Sequence, residues 1–105
     1  MTFVHVAIFK WKNDVGRSDI DRVMSEVASL KDKVPGVIEI FAGENHSKYS
    51  EGYSHVVMVR AESQAAIDAY RAHPDHVKVA DEIDIYELKG AGVDFSTSND
   101  QGGDN

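Results

Sequence analysis

The segment from Phe3 to Trp11 is apolar on both of its faces. Alternation puts Phe3, His5, Ala7, Phe9 and Trp11 on one side of a strand and Val4, Val6, Ile8 and Lys10 on the other. An antiparallel sheet with helices on one side leaves its second side wet, so a doubly apolar strand needs cover on both. The simplest second cover is another copy of the chain, and a homodimer through the sheet face is the expectation.

The rest of the chain supplies the partners of that strand. Asn13 to Ser18 reads as a turn with Ser18 as a helix N-cap, and Ile20, Val23, Met24, Val27 and Leu30 follow at helical spacing through about Lys33. Pro35-Gly36 ends that helix. Val37 to Ala42 and Gly52 to Ala61 read as two further strands joined by a polar connection, with Tyr53, His55, Val57 and Val59 on one face. Ser63 caps a helix carrying Ala66, Ile67 and Tyr70, which Pro74 interrupts. A second helix follows with Val77, Val79 or Ala80, and Ile83, and a last strand lies near Gly92 to Ser96. Strand, helix, strand, strand, helix, helix, strand is the order of an α+β ferredoxin-like sandwich, a four-stranded antiparallel sheet with helices on one face. The domain is expected to span residues 1–96, with the polar residues 97–105 as a loosely held tail.

Composition excludes several classes of function. A formal net charge of −7 over 105 residues leaves no basic stripe to neutralise phosphates, so neither a nucleic acid nor an anionic membrane is an expected partner. The absence of cysteine removes disulfides, thiolate catalysis and zinc–sulfur sites. No segment approaches the ~20 apolar residues of a membrane span, and the first residues do not form a signal peptide, so a soluble, cytoplasmic protein is expected.

The chemistry is concentrated in Tyr70-Arg-Ala-His-Pro-Asp-His76. On an unbroken helix Tyr70 and His76 would face directions about 240° apart, so the break at Pro74 is what lets them converge. Histidine titrates near neutrality and is able to take a proton α to a carbonyl or from a hydroxyl. A tyrosine phenol, with its higher pKa, is suited to donating a hydrogen bond to a developing oxyanion. The plainer roles stand beside these. Histidines on an apolar strand face, His5 and His55 here, are commonly satisfied structural groups. His76 is placed to help cap the helix junction, His73 reads as structural because it precedes the proline, and Tyr70, Phe9 and Trp11 are placed to pack in the core. A metal site drawn from His73, His76, Asp75 and Asp81 is disfavoured, because the kink removes helical spacing and hard ions want more carboxylates; no metal and no cofactor are expected.

His5 in the first strand, Lys33-Val-Pro-Gly36, Glu51-Gly-Tyr-Ser-His55, His73-Pro-Asp-His76 and Val93-Asp-Phe95 together resemble the stress-responsive dimeric A/B-barrel (Dabb) family over residues 2 to about 96. The resemblance implies two ferredoxin-like sheets paired face to face. The family includes plant stress proteins, olivetolic acid cyclases that close a polyketide ring by aldol condensation, and fern-type hydroxynitrile lyases. Fold alone does not choose among them. Carried over residue by residue, the resemblance implies His76 and Tyr70 as catalytic acid–base groups, His5 as an orienting or polarising group, and His55 as a pocket histidine. Together with His73 and Phe9, His55 is taken as ligand-contacting. Arg71, Ala72, Asp75 and the glycine-rich Lys89-Gly-Ala-Gly92 depart from the plant cyclases and imply different pocket walls.

The reading that follows is a cofactor-independent lyase or cyclase acting on a small, largely apolar carbonyl or hydroxyl compound, polyketide-like or otherwise. A non-catalytic, stress-responsive, ligand-binding homodimer is the first alternative. A cofactor-free monooxygenase of the antibiotic-biosynthesis type is the second. On the leading reading Tyr70, His76 and His5 line one apolar cavity on the helix side of the sheet, and the histidines make few strong contacts with protein carboxylates.

Overall fold

The computed structural model describes residues 1–98. Strand β1 (Thr2–Trp11) is followed by α1 (Arg17–Ala28), a 3-10 turn (Ser29–Lys33), β2 (Val37–Glu44), β3 (His55–Ala61), α2 (Gln64–Ala72), α3 (Pro74–Tyr86) and β4 (Glu87–Thr97). The strands form one antiparallel sheet in the order β2-β3-β1-β4, with the helices on one face. This is the expected ferredoxin-like arrangement.

Register assigns the faces. His5 lies opposite Val59 and Asp94, Ala7 opposite Val57 and Gly92, and Phe9 opposite His55 and Gly90, all on the helix side. There Ile20, Val23, Met24 and Val27 of α1, Ile67 and Tyr70 of α2, and Val79 and Ile83 of α3 are buried with Ile40, Val57 and Val59 of the sheet. The reverse side carries Val6, Ile8, Met58, Phe41, Val93 and Phe95, with nothing over it in the single chain; Phe41, Val93 and Phe95 are about half exposed. Val6, Ile8, Ala91, Gly92 and Val93 line a shallow apolar groove of about 170 Å³ on that side. The two-faced character of Phe3 to Trp11 is thus real, and one of its faces is open.

Several boundaries differ from expectation. Helix α1 begins at Arg17 with Gly16 at the N-cap position, and no side chain caps it; Ser18 sits two residues too deep to serve. Its last stretch tightens into the 3-10 turn, with the Ser29 hydroxyl donating to the Glu26 carbonyl at 2.6 Å. Strand β3 starts at His55 rather than Gly52, because Glu51 and Gly52 both take positive φ in the preceding turn. Gly36, at φ +89°, is needed twice over: a Cβ there would lie 2.8 Å from the Ala66 Cβ, where α2 crosses the turn. Ser63 caps α2 as expected, its hydroxyl accepting from the Ala66 amide at 3.0 Å.

The largest difference is β4. It runs from Glu87, not Gly92, so Lys89-Gly-Ala-Gly92 is part of a strand paired with β1. Pairing to a fixed neighbour overrides the poor strand propensity of glycine. At the other end Thr97 still lies opposite Thr2, one residue past the expected domain boundary. Residues 99–105, most of the expected tail, lie outside the described residues. Among the described residues no helix is long and apolar enough to cross a membrane.

Candidate active site

The break at Pro74 builds the site. In a continuous helix the Tyr70 carbonyl would accept from residue 74, but proline has no N–H; the His73 amide takes its place at 3.3 Å, and α2 ends at Ala72. The Asp75 amide, which would have reached the Arg71 carbonyl, bonds instead to Nδ1 of His73 at 3.1 Å and starts α3. The Arg71 carbonyl is therefore vacant, and Nδ1 of His76 donates to it at 3.0 Å. One covalent constraint thus anchors the His76 ring by its Nδ1–H and leaves Nε2 with a lone pair.

That ring lies against Tyr70, with centroids 4.5 Å apart, and Tyr70 in turn faces His5 at 6.1 Å. All three line a cavity of about 140 Å³ between α3 and the sheet, walled by Ala7, Phe9, Val57 and Ile83. A space of this size accommodates about one ring. Tyr70 is almost fully buried, and its hydroxyl bonds to no protein group among the described residues. Burial raises its pKa to about 12, so the phenol keeps its proton and is a donor. Burial acts oppositely on His76, pushing its pKa below the usual imidazole value; the bond to the Arg71 carbonyl opposes this and the Arg71 charge adds to it. Near neutral pH His76 is an uncharged base.

His5 is held differently. Its Nδ1 lies 2.7 Å from Oδ1 of Asp94 and 3.1 Å from Nη2 of Arg71; a carboxylate only accepts, so the shorter contact puts the proton on Nδ1 and leaves Nε2 of the neutral ring free. Asp94 is gripped by Arg71 through both guanidinium nitrogens, each at 2.9 Å, and by Gln64 at 3.1 Å. Arg71 above all, then His5 and Gln64, hold the Asp94 carboxyl well below the usual carboxylate range. The expectation was that the histidines make few strong contacts with carboxylates; His5 makes one, to Asp94. Sequence reasoning named Arg71 and Val93-Asp-Phe95 but gave neither Asp94 nor Arg71 a role at the site. The available signal was a lone carboxylate between Val93 and Phe95, whose alternation turns it toward the covered face of the sheet.

The remaining candidates separate. Phe9 lines the cavity, stacked on Trp11 at 5.4 Å. His73 does not line it; its ring caps α3. His55 shares the sheet face but sits four residues along the strand from Val59, which lies opposite His5, roughly 13 Å away. Its Nδ1 accepts from the Trp11 indole at 3.0 Å and contacts the Ser54 hydroxyl at 2.9 Å, and it borders a separate polar depression with Arg17, Asp21 and Glu44. Grouping His55 with the other pocket residues fails because identity of face does not fix position along the strand. Among the described residues no set of three or more His, Asp or Glu side chains is gathered as for a metal ion.

Comparison with known proteins agrees with this architecture. The model of the Stress responsive A/B Barrel Domain family matches residues 3–97. The olivetolic acid cyclase of Cannabis sativa is 26% identical over 83 residues, covering 77% of this chain and 82% of that protein. Among solved structures, a dimeric ferredoxin-like protein of unknown function from Thermobifida fusca superposes with a TM-score of 0.81 at 22% identity, covering 92% of each chain. The hydroxynitrile lyase of Passiflora edulis superposes with a TM-score of 0.80 at 16% identity, covering 90% of this chain and 91% of that one.

Proposed function

Starting from the premise that the chain belongs to the stress-responsive A/B barrel domain family, we propose that it is a cofactor-independent lyase or cyclase acting on a small, largely apolar carbonyl or hydroxyl compound, polyketide-like or cyanohydrin-like. The observation that carries this is a proton acceptor and a proton donor, His76 Nε2 and the Tyr70 hydroxyl, facing one apolar cavity in contacting rings. In the aldol direction His76 takes a proton α to a carbonyl, Tyr70 hydrogen-bonds the oxygen on which charge develops, and the carbanion attacks a second carbonyl. In the cleavage direction the base takes the hydroxyl proton, the carbonyl forms, and the carbon leaving group departs. His5, set by Asp94, orients the substrate oxygen. Similarity in sequence to the cyclase supports the aldol direction, and the fold shared with the lyase is compatible with cleavage.

The protein acts as a cytoplasmic homodimer on this reading, the open sheet face of one copy covering that of another. The apolar side chains of that face and the dimeric description of the Thermobifida fusca neighbour support it. A stable interface there buries more than ~1,000 Å² in total.

The chemistry is tested without knowing the natural substrate, by following deuterium incorporation α to the carbonyl of 4-phenylbutan-2-one in D₂O by NMR. The protein accelerates exchange, His76→Ala removes the acceleration, and Tyr70→Phe weakens it strongly, with the oligomeric state unchanged. Equal exchange by the protein and both variants, with the ketone bound, would overturn the catalytic reading in favour of a ligand-binding homodimer.

A further inference from the structure

The end of the cavity away from Tyr70 and His76 is made by an irregularity in the sheet. Lys10 pairs with Lys89, but the next residue of β1, Trp11, pairs with Glu87, so Leu88 is an extra residue on β4. Without that bulge Leu88 would lie opposite Trp11 and turn toward the helices. With it, Leu88 points out and is two-thirds exposed, and Glu87 takes the inward place and lines the cavity. The next inward residue, Gly90 opposite Phe9, leaves room for the Glu87 carboxylate, which occupies the space where a Cβ at that position would be. Two adjustments of the backbone, a bulge and a glycine, thus deliver a carboxylate to a largely apolar cavity.

That carboxylate has no hydrogen-bond or ion-pair partner among the described residues. No lysine or arginine lines the cavity, and the other charged side chain there, Asp84, has the same sign. Burial, then the Asp84 charge, raises the Glu87 pKa above the usual carboxylate value. The group lies at the level of Phe9, about four residues or roughly 13 Å along the strand from the level of His5. The carboxylate is partly shielded from water and has no donor of its own, so a ligand that supplies the donor gains what the protein does not provide.

We propose that Glu87 sets the specificity of this cavity by selecting ligands that carry a hydrogen-bond donor, a hydroxyl or an ammonium, at the end remote from the carbonyl held by Tyr70 and His76. The inference rests on the acid–base reading of the cavity. Glu87 rejects a carboxylate at the same end, since three negative groups would then share one apolar space.

Three ketones on one skeleton test it: 4-phenylbutan-2-one, 4-(4-hydroxyphenyl)butan-2-one and 4-(3-oxobutyl)benzoic acid. Binding is followed through the His76 ring resonances by NMR in the intact protein, its Glu87→Leu variant and its Glu87→Gln variant. The phenol binds the intact protein at least tenfold more tightly than the unsubstituted ketone and the benzoate at least tenfold more weakly. In Glu87→Leu both differences collapse, and Glu87→Gln, which keeps an acceptor but no charge, retains part of the phenol preference and loses the rejection of the benzoate. Equal binding of the phenol and the unsubstituted ketone to the intact protein, or a preference that survives in Glu87→Leu, overturns the inference while leaving the acid–base reading in place. Failure of all three to move the His76 resonances overturns both.

Discussion

His76 and His55 are both shielded imidazoles packed against an aromatic ring, and they differ in what meets Nδ1. At His76 a carbonyl accepts from Nδ1, so the ring turns a lone pair outward at Nε2. At His55 the Trp11 indole, which is donor only, gives its hydrogen to Nδ1, so Nε2 carries the proton. Burial lowers both pKa values, so both rings stay neutral at neutral pH, yet only the first is a base through its outer nitrogen. The partner of the inner nitrogen decides the role, and at His76 that partner exists because Pro74 vacated a carbonyl.

The strongest attack on this contrast is to exchange the two rings for alanine in turn. His76→Ala lowers the deuterium-exchange rate by about 10²- to 10⁴-fold, the usual contribution of a general base, whereas His55→Ala changes it by less than about threefold. A comparable loss in both variants, with the fold intact by circular dichroism, would erase the distinction. His55→Ala shows its effect in stability instead, since the Trp11 N–H loses its acceptor: a loss of about 1–3 kcal/mol in urea unfolding is expected. Trp11→Phe, which removes the donor as well, is read against it in a double-mutant cycle, and strict additivity would show that the pair is not coupled.

Acidity sharpens the comparison further. Because the folded pKa of His76 lies below the unfolded value near 6.5, the unfolded chain takes up the proton first. Stability therefore falls as pH drops through 6.5 toward the folded pKa, and His55 acts in the same direction. The acidic limb of the exchange rate lies below 6.5 for the same reason; a limb above 6.5 would contradict a neutral, buried base. A smaller loss than that of His76→Ala is expected of Asp94→Asn, which keeps the shape but removes the charge that fixes the His5 proton. A loss of about tenfold in exchange, with little change in ketone binding, marks Asp94 as a positioning group.

What the sequence made legible follows from which constraints are covalent or periodic. Proline at 74 lacks a donor whatever surrounds it, so the break between Ala72 and Pro74 and the meeting of Tyr70 with His76 were readable. The two apolar faces of Phe3 to Trp11 were readable because alternation is a property of the strand alone. The misses all need a neighbour. Strand β4 takes its length from pairing with β1, and its bulge decides whether Leu88 or Glu87 faces inward. The Asp94 that fixes His5 sits on a strand distant in sequence, and His55 shares a face with His5 but not a position.

The bond between His5 and Asp94 joins residues 89 positions apart, across the pairing of β1 with β4. Such a contact closes nearly the whole chain into a loop, and its entropic cost is met only when the strands between are already in place. A chain emerging from the ribosome therefore assembles α2, the Pro74 break and the Tyr70–His76 pair before it acquires an oriented His5. The site matures in two stages, and the second waits for the last strand.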